Sequence, residues 1–120
     1  MTVPAKVYQD THFRLESDSG QAYVDSRRLT LTRKEYELLG MLVNNVGEII
    51  PRDVLLLQVW GYSREIRTRT LDVHIRRLRK KLGPYGDQYI ETIFGVGYRF
   101  QRYREPREFP AYLQLLPRTA

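Results

Sequence analysis

The chain has 120 residues, enough for one ordinary domain with its own core, and no cysteine, which excludes disulfides and thiolate chemistry. There is no apolar run of about eighteen residues, and the N-terminus "MTVPAKVYQD" lacks the apolar centre of a secretion signal, so a cytoplasmic protein is expected. The formal net charge is +6; eight basic and two acidic residues lie between Arg64 and Lys81 and twelve of each sign elsewhere, so the whole excess sits in one segment, a field suited to a polyanion or an anionic lipid surface.

In chain order, "KVYQ", "HFRLE", "QAYVD" and "RLTL" read as short strands separated by the turn "SDSG" and the polar corner "DSR", the makings of a small antiparallel sheet. Thr32 opens a capping box with Glu35, because its hydroxyl can accept from the Glu35 amide while the carboxylate reaches back to the Thr32 amide. From there Tyr36, Leu39, Leu42 or Val43, and Val46 repeat at helical spacing until Gly47. Pro51 suits the first turn of a second helix, in which Val54, Leu55, Leu57 and Val59 lead to Trp60 and Gly61 closes. After a connecting loop at 62–67 comes a third helix over 68–82, stopped by "GPYG"; "YIETI" and "YRFQR" around "FGVG" then form a hairpin spanning 89–101. Residues 1–5 read as a linker remnant, 6–102 as the domain, and 103–120, with three prolines and no periodicity, as a tail.

In the third helix Leu71, Ile75, Leu78 and Leu82 share an arc of roughly 60°, a narrow stripe for a core. Arg69, Val73, Arg76 and Lys80 lie opposite, with Thr70 and Arg77 on one shoulder, Asp72 and Arg79 on the other; Asp72, four residues before Arg76, is placed to pair with it. Three readings compete for this helix. A merely solvated face ordinarily mixes both signs, and a membrane-surface helix needs a broad apolar face with exposed aromatics. The third reading takes a short helix, a turn, this helix and a β-hairpin as a winged helix-turn-helix, whose recognition helix enters the major groove of DNA. Arginine can then bond guanine bidentately, and the methyl groups of Thr70 and Val73 suit thymine.

The stretches "LTLTRKEYELLGMLVNNVGEII", "LLLQVWG", "RTLDVHIRRLRKKL" and "IETIFGVGYRF" resemble, from about Tyr23 to Phe100, the DNA-binding effector domain of OmpR/PhoB-type bacterial response regulators. The resemblance implies an α+β winged helix-turn-helix with an N-terminal four-stranded antiparallel sheet, three helices and a C-terminal β-hairpin wing. It implies Thr70, Val73 and Arg77 at the bases, with Arg69, His74, Arg76, Arg79 and Lys80 at phosphates or positioning the helix. Thr92 and Tyr98 match phosphate-touching wing positions, and Phe94 stands where well-studied members carry an arginine that reaches the minor groove. Trp60, Gly61 and Tyr62 match the segment that meets RNA polymerase, although "YSREIRTR" is arginine-rich where activators often carry acidic residues, which leaves activation and repression both open. The implied partners are double-stranded DNA with direct repeats, bound by a monomeric domain as a head-to-tail pair, and in the full-length protein a receiver domain and its sensor kinase. Nothing here supplies a receiver, so an excised C-terminal domain is expected, with a free-standing regulator as the alternative.

Chemistry of other kinds finds little support. His12 and His74, the two histidines, fall in different elements without clustered carboxylates, so neither a metal site nor a catalytic triad is expected, and no cofactor. "GVG" joins two strands and does not open a helix, as a dinucleotide fingerprint must. Trp60 also reads as a core anchor, and Tyr98 as a core residue whose hydroxyl alone reaches outward. A winged helix that binds protein or RNA is the alternative function, weakened by the basicity of the 69–80 face and its lack of stacking aromatics.

Overall fold

The computed structural model describes residues 7–105; the linker expected at 1–5 and most of the tail expected at 103–120 lie outside them. Four strands, β1 (Val7–Gln9), β2 (Phe13–Glu16), β3 (Gln21–Val24) and β4 (Arg27–Arg28), form an antiparallel sheet in chain order. Phe13 and Leu15 on β2 and Ala22 and Val24 on β3 are buried, the alternation expected of a sheet with one face on the core. The fourth strand is shorter and starts earlier than "RLTL": only Asp25 and Ser26, at φ 49° and 66°, make the turn, so Arg27 already pairs with Val24.

Helix α1 (Arg33–Asn44) starts on the complete Thr32–Glu35 capping box. It ends three residues before Gly47, which lies in a turn at φ 86° and donates to the Phe100 carbonyl, so Val46 is exposed and does not extend the buried stripe. A short strand, β5 (Ile49–Pro51), follows, and α2 (Arg52–Trp60) begins one residue after Pro51. Leu55, Leu56 and Val59 face inward, whereas Val54 and Leu57 are exposed. Gly61, left-handed at φ 73°, closes α2.

Helix α3 (Thr70–Lys81) starts two residues later than expected, because the Thr68 hydroxyl accepts from the Thr70 amide and holds 68–69 outside the helix. "GPYG" is more than a stop: a 3-10 turn (Gly83–Tyr85) runs into a one-turn helix, α4 (Gly86–Tyr89), a fourth helix. Gly86 lies so close to α3 that an added Cβ would sit 2.2 Å from the Arg79 carbonyl oxygen. The hairpin β6 (Ile90–Ile93) and β7 (Gly97–Phe100) becomes a three-stranded sheet of order β5-β7-β6. Gly97 permits it, since a Cβ there would sit 2.0 Å from the Ile50 carbonyl oxygen of β5.

One apolar core joins the two sheets and the helices. Leu71, Ile75, Leu78 and Leu82 are at most 1% exposed, and burying each fully contributes about 1.5–3 kcal/mol. At the opposite end Tyr8, Phe13, Tyr89, Phe100 and Tyr103 pack ring on ring around Asp10. The Asp10 carboxylate accepts from the Tyr8 and Tyr89 hydroxyls and from the amides of His12, Phe13 and Tyr103. Tyr103, the first residue of the expected tail, is therefore a buried part of this core.

Candidate nucleic-acid interface

Helix α3 is held on both shoulders by its own polar residues, which leaves one face to solvent. Asp72 does not take up Arg76. It faces α2 and the wing, where the two terminal guanidinium nitrogens of Arg52, Nη1 and Nη2, donate to its two oxygens and the Tyr98 hydroxyl donates at 2.6 Å. A bidentate partner at the first turn of α2 is geometrically superior to a neighbour one helical turn along the same surface. Arg79 donates to the Ile90 carbonyl from Nε and Nη2, at 3.0 and 2.7 Å, and from Nη2 to the Thr92 hydroxyl at 2.7 Å, which clamps β6 onto the helix. Lys81, on the core side, reaches Glu35 Oε1 at 2.6 Å, and Glu35 is 1% exposed.

The remaining cations point outward. Among the described residues, Arg67, Arg76, Arg77 and Lys80 are exposed and make no hydrogen bond or ion pair, and Arg69 acts on Asp72 only through its field. Val73 lies on the same face, 38% exposed. Thr70 is half-buried at the helix start, and its carbonyl is 2.7 Å from His74 Nδ1, which can meet it only as a donor. The His74 ring packs edge to face with Trp60, centroids 4.9 Å apart, so His74 joins α3 to the end of α2. Thr70, Val73, Arg76, Arg77 and Lys80 thus come together on α3, while Arg79, Thr92 and Tyr98 form the joint between helix and wing.

Tyr98 is 6% exposed, and its hydroxyl pKa is pushed up to about 12 by burial and by donation to Asp72. At the wing tip Phe94 is 90% exposed. Trp60 is half-buried on the core, whereas Gly61 and Tyr62 are exposed and open a loop whose Arg64 pairs with Asp53 at 3.2 Å. Residue types alone missed Arg52 as a positioning residue and Glu35 as the seat of Lys81. Both act across long stretches of chain, and only the capping box marked Glu35 at all.

The carboxylates that hold this frame remain charged. Burial alone would raise the pKa of Asp10 and Glu35, but hydrogen bonds from Tyr8 and Tyr89 to the first, and from Lys81 and the Thr32 amide to the second, bring both below their ordinary values. The Arg52 hydrogen bond, opposed by burial and aided by Tyr98, does the same for Asp72. Groups with depressed pKa contribute stability above the ordinary carboxylate range and lose it as pH falls from that range through their lowered folded values. The thermal midpoint is therefore expected to hold from pH 7 to about 5 and to fall steadily below about pH 4; a midpoint unchanged down to about pH 2 would contradict these contacts. Among the described residues no group of three His, Asp or Glu side chains could hold a metal, and no helix is long and apolar enough to cross a membrane.

Known proteins share this fold. Response regulator ArlR of Staphylococcus saprophyticus is 45% identical over 85 residues, 70% of this chain and 39% of that protein, so the chain spans about two-fifths of the relative's length. The DNA-binding domain of CpxR from E. coli superposes with a TM-score of 0.73 at 27% identity, covering 82% of this chain and 98% of that one. The Klebsiella pneumoniae RstA DNA-binding domain, solved in complex with the RstA box, gives 0.71 at 29% identity over 80% of this chain and 97% of that one. The family described as "Transcriptional regulatory protein, C terminal" matches residues 26–100, and the chain belongs to it.

Proposed function

We propose that this chain is the output domain of a two-component transcription regulator and that it binds double-stranded DNA sequence-specifically, without catalysis. One observation carries the reading: α3 uses Asp72, Arg79 and Lys81 to fix itself in the fold and presents Arg76, Arg77, Lys80 and Val73 outward without partners. A helix held this firmly can enter the major groove without losing order on binding. Thr70, Val73 and Arg77 then read bases, and Arg69, Arg76 and Lys80 meet phosphates. His74, Arg79, Thr92 and Tyr98 act by position, keeping helix and wing in register, the Tyr98 hydroxyl proton being already donated to Asp72. The binding unit is 6–102 extended by the buried Tyr103.

In the full-length regulator a receiver domain, phosphorylated by a sensor kinase in the cytoplasm, would pair such domains head to tail on direct repeats. The exposed Gly61–Tyr62 segment beside Trp60 is the surface we assign to RNA polymerase. Selection of bound duplexes from a random pool tests the reading: one recurrent motif, single or repeated in tandem, is expected, and an unenriched pool would refute it. On the selected duplex Arg77→Ala is expected to weaken specific binding by about 1–3 kcal/mol and random-duplex binding far less. Equal losses on both would remove Arg77 from base reading.

A further inference from the structure

We infer that Phe94 is an apolar wedge that enters the minor groove beside the site of α3 and partly unstacks one base step, an inference that rests on the duplex-binding reading above. Phe94 occupies the second position of the four-residue turn 93–96, closed by the Val96 amide donating to the Ile93 carbonyl at 3.0 Å, with Gly95 at φ 76° in the third. That left-handed angle is the requirement of a type II turn, which glycine meets without strain. The turn is tied down again where the Arg52 amide donates to the Val96 carbonyl at 3.0 Å.

The wing tip is thereby part of the same body as the reading face. Arg52 also grips Asp72 of α3, and Arg79 of α3 grips β6 at Ile90 and Thr92. The tip is thus held at a fixed offset from Arg76, Arg77 and Lys80 on α3. It presents a phenyl ring 90% exposed, with Val96 beside it at 45%. A ring so presented has no structural use within the domain, and a rigid turn has already removed the entropy cost of ordering it. Phenylalanine offers a phosphate nothing, but between base steps it replaces stacking and kinks the duplex toward the major groove. Pyrimidine–purine steps, TA or CA/TG, yield most readily, so Phe94 would add specificity at a step that α3 never touches.

The test compares duplexes selected from a random pool by the 120-residue chain and by Phe94→Ala and Phe94→Arg, with thermal midpoints confirming that all three fold alike. The wild-type pool is expected to carry a pyrimidine–purine step at fixed spacing from the core motif, and the Phe94→Ala pool the core motif without it. On one wild-type-selected duplex, Phe94→Ala should weaken binding about tenfold with an unchanged salt slope and reduce the bend seen by end-to-end fluorescence energy transfer. Phe94→Arg should instead favour an A·T-rich flank with a narrow groove and steepen the salt slope by about one. Identical flanks and bends for wild type and Phe94→Ala overturn the wedge while leaving duplex binding intact; a wild-type chain that enriches no motif overturns both.

Discussion

Replacing Glu35 with alanine is expected to destabilise the domain by about 3 kcal/mol in chemical or thermal denaturation. Glu35 has two duties. Its carboxylate accepts from the Thr32 amide at 2.8 Å and completes the cap of α1, and the same oxygen receives Lys81 Nζ at 2.6 Å from the end of α3. Losing the cap contact costs about 1 kcal/mol. Losing one member of a buried ion pair costs about 3–5 kcal/mol when the other charge is stranded, but Lys81 keeps 34% of its side chain exposed and can turn to water, which brings the pair's share down to about 2 kcal/mol. Glu35→Gln separates the two duties: an amide oxygen still accepts from Thr32 at nearly the same volume, and only the charge is gone, so a loss of about 1–2 kcal/mol is expected. Equal losses for the two variants would mean that the Lys81 contact carries the whole effect, and no loss for either would refute the buried pair.

The same residue shows what could be read in the chain. The Thr32–Glu35 box, the α3 stripe, the Gly61 stop and the alternation of β2 and β3 are local patterns, each written within a few residues, and the structure reproduces them. Features set by distant partners were not legible. Asp72 had a nearby arginine at helical spacing, yet its partners are Arg52 and Tyr98, 20 and 26 residues away. Strand β5 is three residues long with a proline at its end, too short to show a period, and exists because β7 pairs with it. Val46 fell on a helical repeat but after the helix had ended at Asn44. Of the candidate interface, the sequence located the excess charge correctly and could not divide it between cations that hold the helix and cations left to bind.

That division has a measurable consequence in the salt dependence of duplex binding. The segment from Arg64 to Lys81 holds eight basic residues, which as a crude count of phosphate contacts would give a slope of log affinity against log salt of about −7, or about a 20,000-fold weakening from 50 to 200 mM. Three of the eight are engaged within the protein: Arg64 with Asp53, Arg79 with Ile90 and Thr92, and Lys81 with Glu35. Five remain, Arg67, Arg69, Arg76, Arg77 and Lys80; with Arg77 at a base, four phosphate contacts predict a slope of about −3.6 per bound chain and a weakening of about 150-fold over the same range. Fluorescence anisotropy on the selected duplex resolves the two values easily. A slope near −7 would show that Arg64, Arg79 and Lys81 leave their internal partners on binding, so that the Asp53 pair, the wing clamp and the Glu35 pair are broken in the complex. A slope near zero would remove the polyanion altogether. With the smaller slope, Lys80→Ala should flatten it by about one, whereas Lys81→Ala should leave it unchanged and lower the thermal midpoint instead, because the two adjacent lysines point about 100° apart around α3, Lys80 to solvent and Lys81 to Glu35.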